Sequence, residues 1–428
     1  MLNDNNIDNS IVEENTTEKV NRVKRKSHKK PDKKVVLLRV CIGVLSAILL
    51  IILIATVAFM ILRNNGKNSI YNNGGNSIPV IDMGDGFEQP SSGESKPDIS
   101  WDNPNSNVTE PSNEESSSAE EIPAETQSTA EETQANNNGY VYQAGDISYN
   151  GHVYRYNSDI MTFLIMGIDS VTEIPEDDEN IDYIKGNQAD ANFLLVMNPH
   201  TKQLTCIAIN RNTITDIDVY DSDNNYVKTV KAQLCLQHGF GDGKKISCER
   251  HKQAVSKLLY NLPIHGYVSI RLNAIPEIND SVGGVEVTPT EDFDRLGLKA
   301  GVTVRLDGDQ AYTFLQYRDR TVFDSATNRL NREKLYLNSF MSAAMKKVKS
   351  DITFPVTMYT ALSKYVYTDL SIDEITYLAS ELVGYSFDNF DIRSVQGEVI
   401  KGSKFEEFYI DDQALRELML QVFYEVVN

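Results

Sequence analysis

Apolar positions along this chain fall into three regimes. Residues 40 to 62, "VCIGVLSAILLIILIATVAFMIL", are apolar without interruption. As a helix rising ~1.5 Å per residue the run spans about 35 Å, enough for a bilayer core. A core helix would carry a polar face, and a secretory signal would be shorter and followed by small residues, which "ILRNNGK" lacks. The pattern therefore predicts a retained transmembrane helix. From residue 64 to about 145 apolar residues thin out, and 14 acidic residues stand against two lysines among Ser, Asn, Pro and Gly. Such a stretch buries too little surface to offset its ordering entropy, which predicts a disordered acidic linker. From about residue 146 onward, strand and helix periods return.

In that last region "GYVYQAGDISYNGHVYRYN" predicts a short hairpin. "IMTFLIMGID", "ANFLLVMN", "LTCIAIN", "GYVSIRL" and "GVEVTP" read as strands, being apolar runs of strand length bounded by turn residues. Helical spacing marks "ERHKQAVSKLLYNL", "GDQAYTFLQYR", "NREKLYLNSFMSAAMKKV" and "DDQALRELMLQVFYEV", and "SIDEITYLASELV" opens with Ser371 and Glu374 at capping-box spacing. Strands interleaved with helices predict a layered α/β/α domain on a central mixed sheet. "MNPHTKQL" reads as a turn, so the strands around it are antiparallel neighbours. With "TFLIMGID" antiparallel on the other side, Asp169, Asp190 and Arg211 converge on one sheet edge. An edge carboxylate is ordinarily solvated, so Asp190→Ala is expected to leave the fold intact.

Charge adds orientation and a second candidate cluster. The formal net charge is −20, from 41 Lys and Arg against 61 Asp and Glu. Ten of the basic residues nevertheless lie between Lys19 and Arg39, directly before the apolar run. A basic flank on one side predicts a cytoplasmic N-terminus and an outward C-terminal domain in the cell membrane. Its position favours contact with membrane lipid head groups over nucleic acid. The domain organisation follows as a basic cytoplasmic tail 1–39, a transmembrane helix 40–62, a linker 64–145 and an extracytoplasmic domain 146–428. Inside that domain "QYRDRTVFDSATNRLNREK" gathers Arg318, Arg320, Arg329, Arg332 and Lys334, which suits an anion. Of the cysteines outside the apolar run, Cys206 reads as a buried hydrophobe, while Cys235 and Cys248 either pair across their loop or remain thiols.

The series "MTFLIMGID", "NQADANFLLVMNPHTKQLTCIAINRNT", "LPIHGYVSIRLNAIPEINDSVGGVEVTP", "LDGDQAYTFLQYR" and "NRLNREK", in this order, resembles the LytR-CpsA-Psr family of Gram-positive bacteria. The resemblance covers about residues 158 to 428. It implies a phosphotransferase of cell wall assembly that moves a glycopolymer, such as teichoic acid or a capsule-like polysaccharide, from undecaprenyl pyrophosphate onto peptidoglycan, with Mg2+ at the pyrophosphate. By the family pattern Asp169 and Asp190 hold the metal. Arg211, Arg318 and Arg329 grip the phosphates, joined by Gln316 and Lys231, and the catalytic set is Asp190, Arg211 and Arg318. The residue types suit phosphoryl transfer, which rests on positioning and charge stabilisation.

Departures from the family pattern are also legible. Gln188 replaces an arginine, Asn212 an aspartate and Gln316 the first arginine of a pair. Gln233 falls where a lysine is usual, with Lys231 two residues away on the same strand face. Glu333 replaces a glutamine, and Asp324 is a displaced candidate for an aspartate before Arg329. These changes leave room for a second reading, a non-catalytic polyprenyl-phosphate-binding envelope regulator.

Overall fold

The computed structural model describes residues 33–75, 77–81, 141–174, 183–385, 390–402 and 404–427. The basic tail up to residue 32 and the acidic segment 82–140 lie outside the described residues. The chain divides into two compact units, Met1–Phe59 and Met60–Asn428. In the first, helix α1 (Lys33–Gly74) exposes Leu50, Ile51, Leu53 and Ile54 over more than half of their surface. This helix is long and apolar enough to cross a membrane, and it fits a single-pass anchor.

The second unit begins with the last turns of α1 and continues through β1 (Ile147–Tyr149), β2 (His152–Tyr156), β3 (Met161–Ile168), β4 (Ala189–Asn198), β5 (Gln203–Ile209), β6 (Ile214–Tyr220) and β7 (Tyr226–Gln233). Then follow α2 (Lys245–Leu258), β8 (Gly266–Arg271), α3 (Ala274–Ser281), β9 (Val285–Val287), β10 (Val304–Leu306), α4 (Gly308–Gln316), α5 (Ser325–Ser350) and α6 (Phe354–Leu362). The chain closes with β11 (Val366–Thr368), α7 (Ile372–Leu382), β12 (Asp391–Ser394), β13 (Gly397–Lys401), β14 (Glu406–Ile410), α8 (Asp412–Phe423) and β15 (Tyr424–Val426).

The central sheet runs β11-β8-β3-β4-β5-β12. As expected, β4 is antiparallel to both β3 and β5, while β8 and β12 pair in parallel outside them. Period-two alternation splits the apolar residues between two faces. Leu164, Met166, Leu194, Val196 and Ile207 pack with Val255 of α2 and Met419 of α8. Phe163, Phe193, Met197 and Cys206 pack with Leu330 of α5 and Tyr377 of α7. Helices thus cover both faces, giving the three layers. A further cluster joins Val285, Leu306 and Phe314 to Tyr336, also on α5. Helix α5 therefore stands between two cores.

Two sequence expectations are revised here, and one open alternative is settled. Residues 64–74 are helical, not linker, and Ile70 and Ile81 are buried in the domain core. The reason is tertiary packing against α7: Arg63 pairs with Glu381 at 2.5 Å, Asn73 donates to Glu374 at 2.9 Å, and a Cβ at Gly66 would lie 2.1 Å from the Asp373 carbonyl oxygen. Cys235 and Cys248 are free buried thiols, Cys235 lying 3.0 Å from Arg211 Nη2 and Cys248 3.6 Å from His238 Nε2. Finally, α5 begins at Ser325, ahead of the predicted "NREKLYLNSFMSAAMKKV", so Arg329 stands one turn inside that helix.

Candidate active site

Antiparallel pairing puts the end of β3, the start of β4 and the end of β5 at one sheet edge. Asp169 follows β3, and its N–H donates to the Gln188 carbonyl at 3.0 Å. Along β3 and β4, Gly167 faces Ala191 and Ile168 faces Ala189, which leaves Asp190 as the extra residue of a β-bulge. Bulges re-aim side chains, and Asp190 is aimed between two arginines. Its Oδ1 lies 2.8 Å from Arg211 Nη1, and its Oδ2 accepts from Arg329 Nη1 at 3.0 Å. Arg329 Nη2 also donates to the Asp190 carbonyl at 2.8 Å.

The second edge of each arginine is committed as well. Arg211 Nη2 donates to Gln188 Oε1. Arg318 Nε donates to Ser325 Oγ and its Nη2 to Glu406 Oε2, both at 2.8 Å. Glu406 Oε1 accepts the Asp324 N–H at 2.9 Å, tying β14 to the start of α5. Glu333, one turn beyond Arg329, puts Oε1 3.2 Å from Arg329 Nε. Burial pushes the Glu333 carboxyl up to about 7, against the opposing pull of Arg329. Burial pulls Arg329 down, but the Glu333 and Asp190 carboxylates outweigh it and hold Arg329 above its ordinary value.

These groups border one cavity of about 510 Å³, within the range of small-molecule sites. Asp169, Asp190, Arg211, Gln316, Arg318 and Arg329 all line it. Much of its wall is apolar, with Ile165, Phe193, Ile270, Ile275, Leu337 and Phe340. The space exists because the sheet narrows opposite α5, where β3 and β4 carry Gly167 and Ala191. A Cβ at Gly167 would lie 2.9 Å from that of Ala191, closer than carbon contacts allow.

Several residues fall elsewhere than the sequence suggests. Lys231 does not line the cavity; it is exposed on the β6–β7 hairpin and pairs with Asp216, its cross-strand partner, at 3.0 Å. Gln233, on the same strand, donates to Asn212 Oδ1 at 3.1 Å and to the Glu406 carbonyl at 2.7 Å. Arg332 does not line the cavity; it donates to the carbonyls of Phe314, at 3.2 Å, and Tyr317, closing the end of α4. Arg320 is exposed but lines the cavity, as does Arg295, whose guanidinium sits 5.0 Å from the Tyr317 ring. Lys334 points away, to Ser394 Oγ at 2.9 Å. Glu406 was not foreseen; nothing in "KFEEFYI" distinguishes it from an exposed strand carboxylate.

Among the described residues no group of three or more His, Cys, Asp or Glu could hold a metal. Asp169 and Asp190 nonetheless line the same cavity, and Asp190 Oδ1 is buried without an aligned hydrogen bond despite its 2.8 Å approach to Arg211. Magnesium commonly takes one or two carboxylates and completes its shell with phosphate and water.

Comparison with known proteins supplies a family. The model of the LytR_cpsA_psr family matches residues 114–421. The chain is 24% identical over 261 residues to the polyisoprenyl-teichoic acid–peptidoglycan teichoic acid transferase TagU of Enterococcus faecalis, covering 60% of this chain and 74% of that protein. It is 24% identical over 261 residues to biofilm regulatory protein A of Streptococcus mutans, covering 57% and 59%. The crystal structure of B. subtilis TagV matches with a TM-score of 0.47 at 22% identity, over 61% of this chain and 96% of that one.

Proposed function

The chain belongs to the LytR_cpsA_psr family, and from that premise we propose that it is a phosphotransferase attaching a polyprenyl-pyrophosphate-linked glycopolymer to peptidoglycan. One observation carries the reading: a single cavity is lined by arginines and carboxylates together with an apolar wall. That is the shape of an amphiphile with an anionic head and a hydrocarbon tail. The tail lies against Ile165, Phe193, Leu337 and Phe340, and the pyrophosphate meets Arg211, Arg318 and Arg329. Arg211 Nε is buried with no hydrogen bond, a donor whose cost a phosphate oxygen would remove.

In the reaction an acceptor hydroxyl of peptidoglycan attacks the phosphorus that carries the glycopolymer. An O–P bond forms to the acceptor, the bridging P–O bond breaks, and polyprenyl monophosphate leaves with the electron pair. The hydroxyl proton passes to solvent. Negative charge builds on the bridging and equatorial oxygens, where guanidinium groups already fixed by Asp190 and Glu406 need no reorganisation. Magnesium, held by Asp169 and Asp190 together with phosphate oxygens, would supply further charge neutralisation. We place the N-terminus in the cytoplasm and the domain outside, on the strength of the basic residues before the apolar helix.

The test is transfer by the full chain in lipid nanodiscs, supplied with a radiolabelled prenyl-pyrophosphate glycan and peptidoglycan. Label moving into insoluble wall material, with release of prenyl monophosphate, is the expected result. Tight donor binding without either product would favour the regulator, a reading supported by Gln188 occupying Arg211 and by the glutamine at position 316.

A further inference from the structure

The transfer chemistry leaves one carboxyl in the cavity wall unused, that of Glu333. Glu333 is only 9% exposed, and its carboxyl lies 3.2 Å from Arg329 Nε. That nitrogen makes no aligned hydrogen bond, so the pair is held by charge alone. Arg329 gives its other two nitrogens to Asp190, and Asp190 is shared with Arg211. Two carboxylates therefore balance two guanidinium groups before any ligand arrives. Arg318, a third arginine of the cavity, is balanced by Glu406.

A pyrophosphate group entering this balanced cluster brings at least two negative charges beside the buried Arg329–Glu333 pair. Something must lose negative charge or move. Asp190 carries two ion pairs, Asp169 is exposed, and Glu406 is hydrogen-bonded to Arg318 and to the Asp324 N–H. Of the three carboxylates paired with arginine, Glu333 is the most weakly held. The geometry points to Glu333 as a proton-coupled positioning residue, which takes up a proton as the pyrophosphate binds at Arg329 and releases it as the product leaves. This inference rests on the cavity being the pyrophosphate site.

The direction follows from the groups that face Glu333. Arg329 and Arg332 on α5 and Arg211 after β5 favour its ionised form, while burial and Asp190 on β4 oppose it, which leaves it near neutrality before binding. An added phosphate anion opposes the ionised form further. Binding and protonation then help one another by the same factor. Affinity falls as pH rises above about 7, by up to ~10-fold per unit until the bound form also ionises. Below that range the wild-type chain and Glu333→Gln behave alike, because a protonated carboxyl and an amide have the same shape and charge.

The experiment is calorimetric titration of the full chain in detergent with farnesyl pyrophosphate, without metal, in two buffers of different ionisation heat. Comparison with Glu333→Gln at each pH cancels the ligand's own ionisation. At pH 7.5 the wild type is expected to take up up to ~1 proton more than the variant, and a protonated-carboxyl infrared band should appear on binding only in the wild type. Equal proton counts and no such band, with binding intact, would overturn the role of Glu333 and leave the cavity assignment standing. No binding by either chain would overturn the assignment itself and the inference with it.

Discussion

Asp190 shows how a residue changes meaning once its neighbours are known. As a sequence position it is an edge carboxylate whose loss should leave stability untouched. In the structure it compensates two largely buried arginines, with side-chain exposures of 13% for Arg211 and 9% for Arg329. Removing one partner of such a cluster costs about 3 kcal/mol. Asp190→Ala should therefore lower the unfolding midpoint by several degrees while abolishing transfer, and inorganic pyrophosphate should restore part of the loss by pairing with the freed arginines. An unchanged midpoint in differential scanning calorimetry would contradict this. The arginines also separate. Arg318→Ala should weaken farnesyl pyrophosphate binding by ~10- to 100-fold, the effect of losing one charge-assisted contact. Arg320→Ala, at an exposed rim, should change affinity only slightly and only at low salt. Arg332→Ala should cost stability, not affinity, because Arg332 serves the carbonyls of Phe314 and Tyr317. Equal losses in all three, erased by salt, would make the cluster a diffuse basic patch.

At the scale of elements, the cavity is a gap between the sheet and α5. Gly167 and Ala191 keep the sheet face low where larger side chains would otherwise meet Leu337 and Met341. Ala191→Leu should fill this gap. It should abolish binding of farnesyl pyrophosphate while sparing that of inorganic pyrophosphate, as read by competition between the two. Loss of both would mean that the substitution disturbs the β-bulge at Asp190 and not only the apolar compartment. Helix α7 offers a control far from the chemistry, because its capping box is complete: Ser371 Oγ accepts the Glu374 N–H and Glu374 Oε2 accepts the Ser371 N–H. Ser371→Ala should cost about 1 kcal/mol in denaturant unfolding and leave transfer rates unchanged.

Over the whole molecule, acid stability is set by buried histidines more than by the site. Burial holds His238 and His265 down to about 4 and His251 to about 3. Each stays neutral when folded but binds a proton near 6.5 when unfolded. The unfolded chain then holds more protons between pH 6.5 and 4, so stability falls as pH drops through that window. Glu333 acts oppositely, since its raised folded value favours the folded state as pH falls from about 7 toward 4.5, but three histidines outweigh one carboxyl. Unfolding midpoints should be clearly lower at pH 5 than at pH 7.5. The sequence by itself determined the apolar helix, the α/β layering and the β3–β4–β5 edge, because uninterrupted hydrophobicity, period-two runs and one tight turn are local signals. It also brought Asp169, Asp190 and Arg211 to one sheet edge through their strand ends, whereas only the family resemblance joined Gln316, Arg318 and Arg329 to them. Lys231 was misplaced because strand periodicity fixes a face but not the partner that a cross-strand neighbour provides. The bulge at Asp190, the tie from Glu406, the helical residues 64–74 and the charge balance around Glu333 were decided only by tertiary structure. Each depends on groups far apart in sequence, and desolvation acts only once the chain has closed around them.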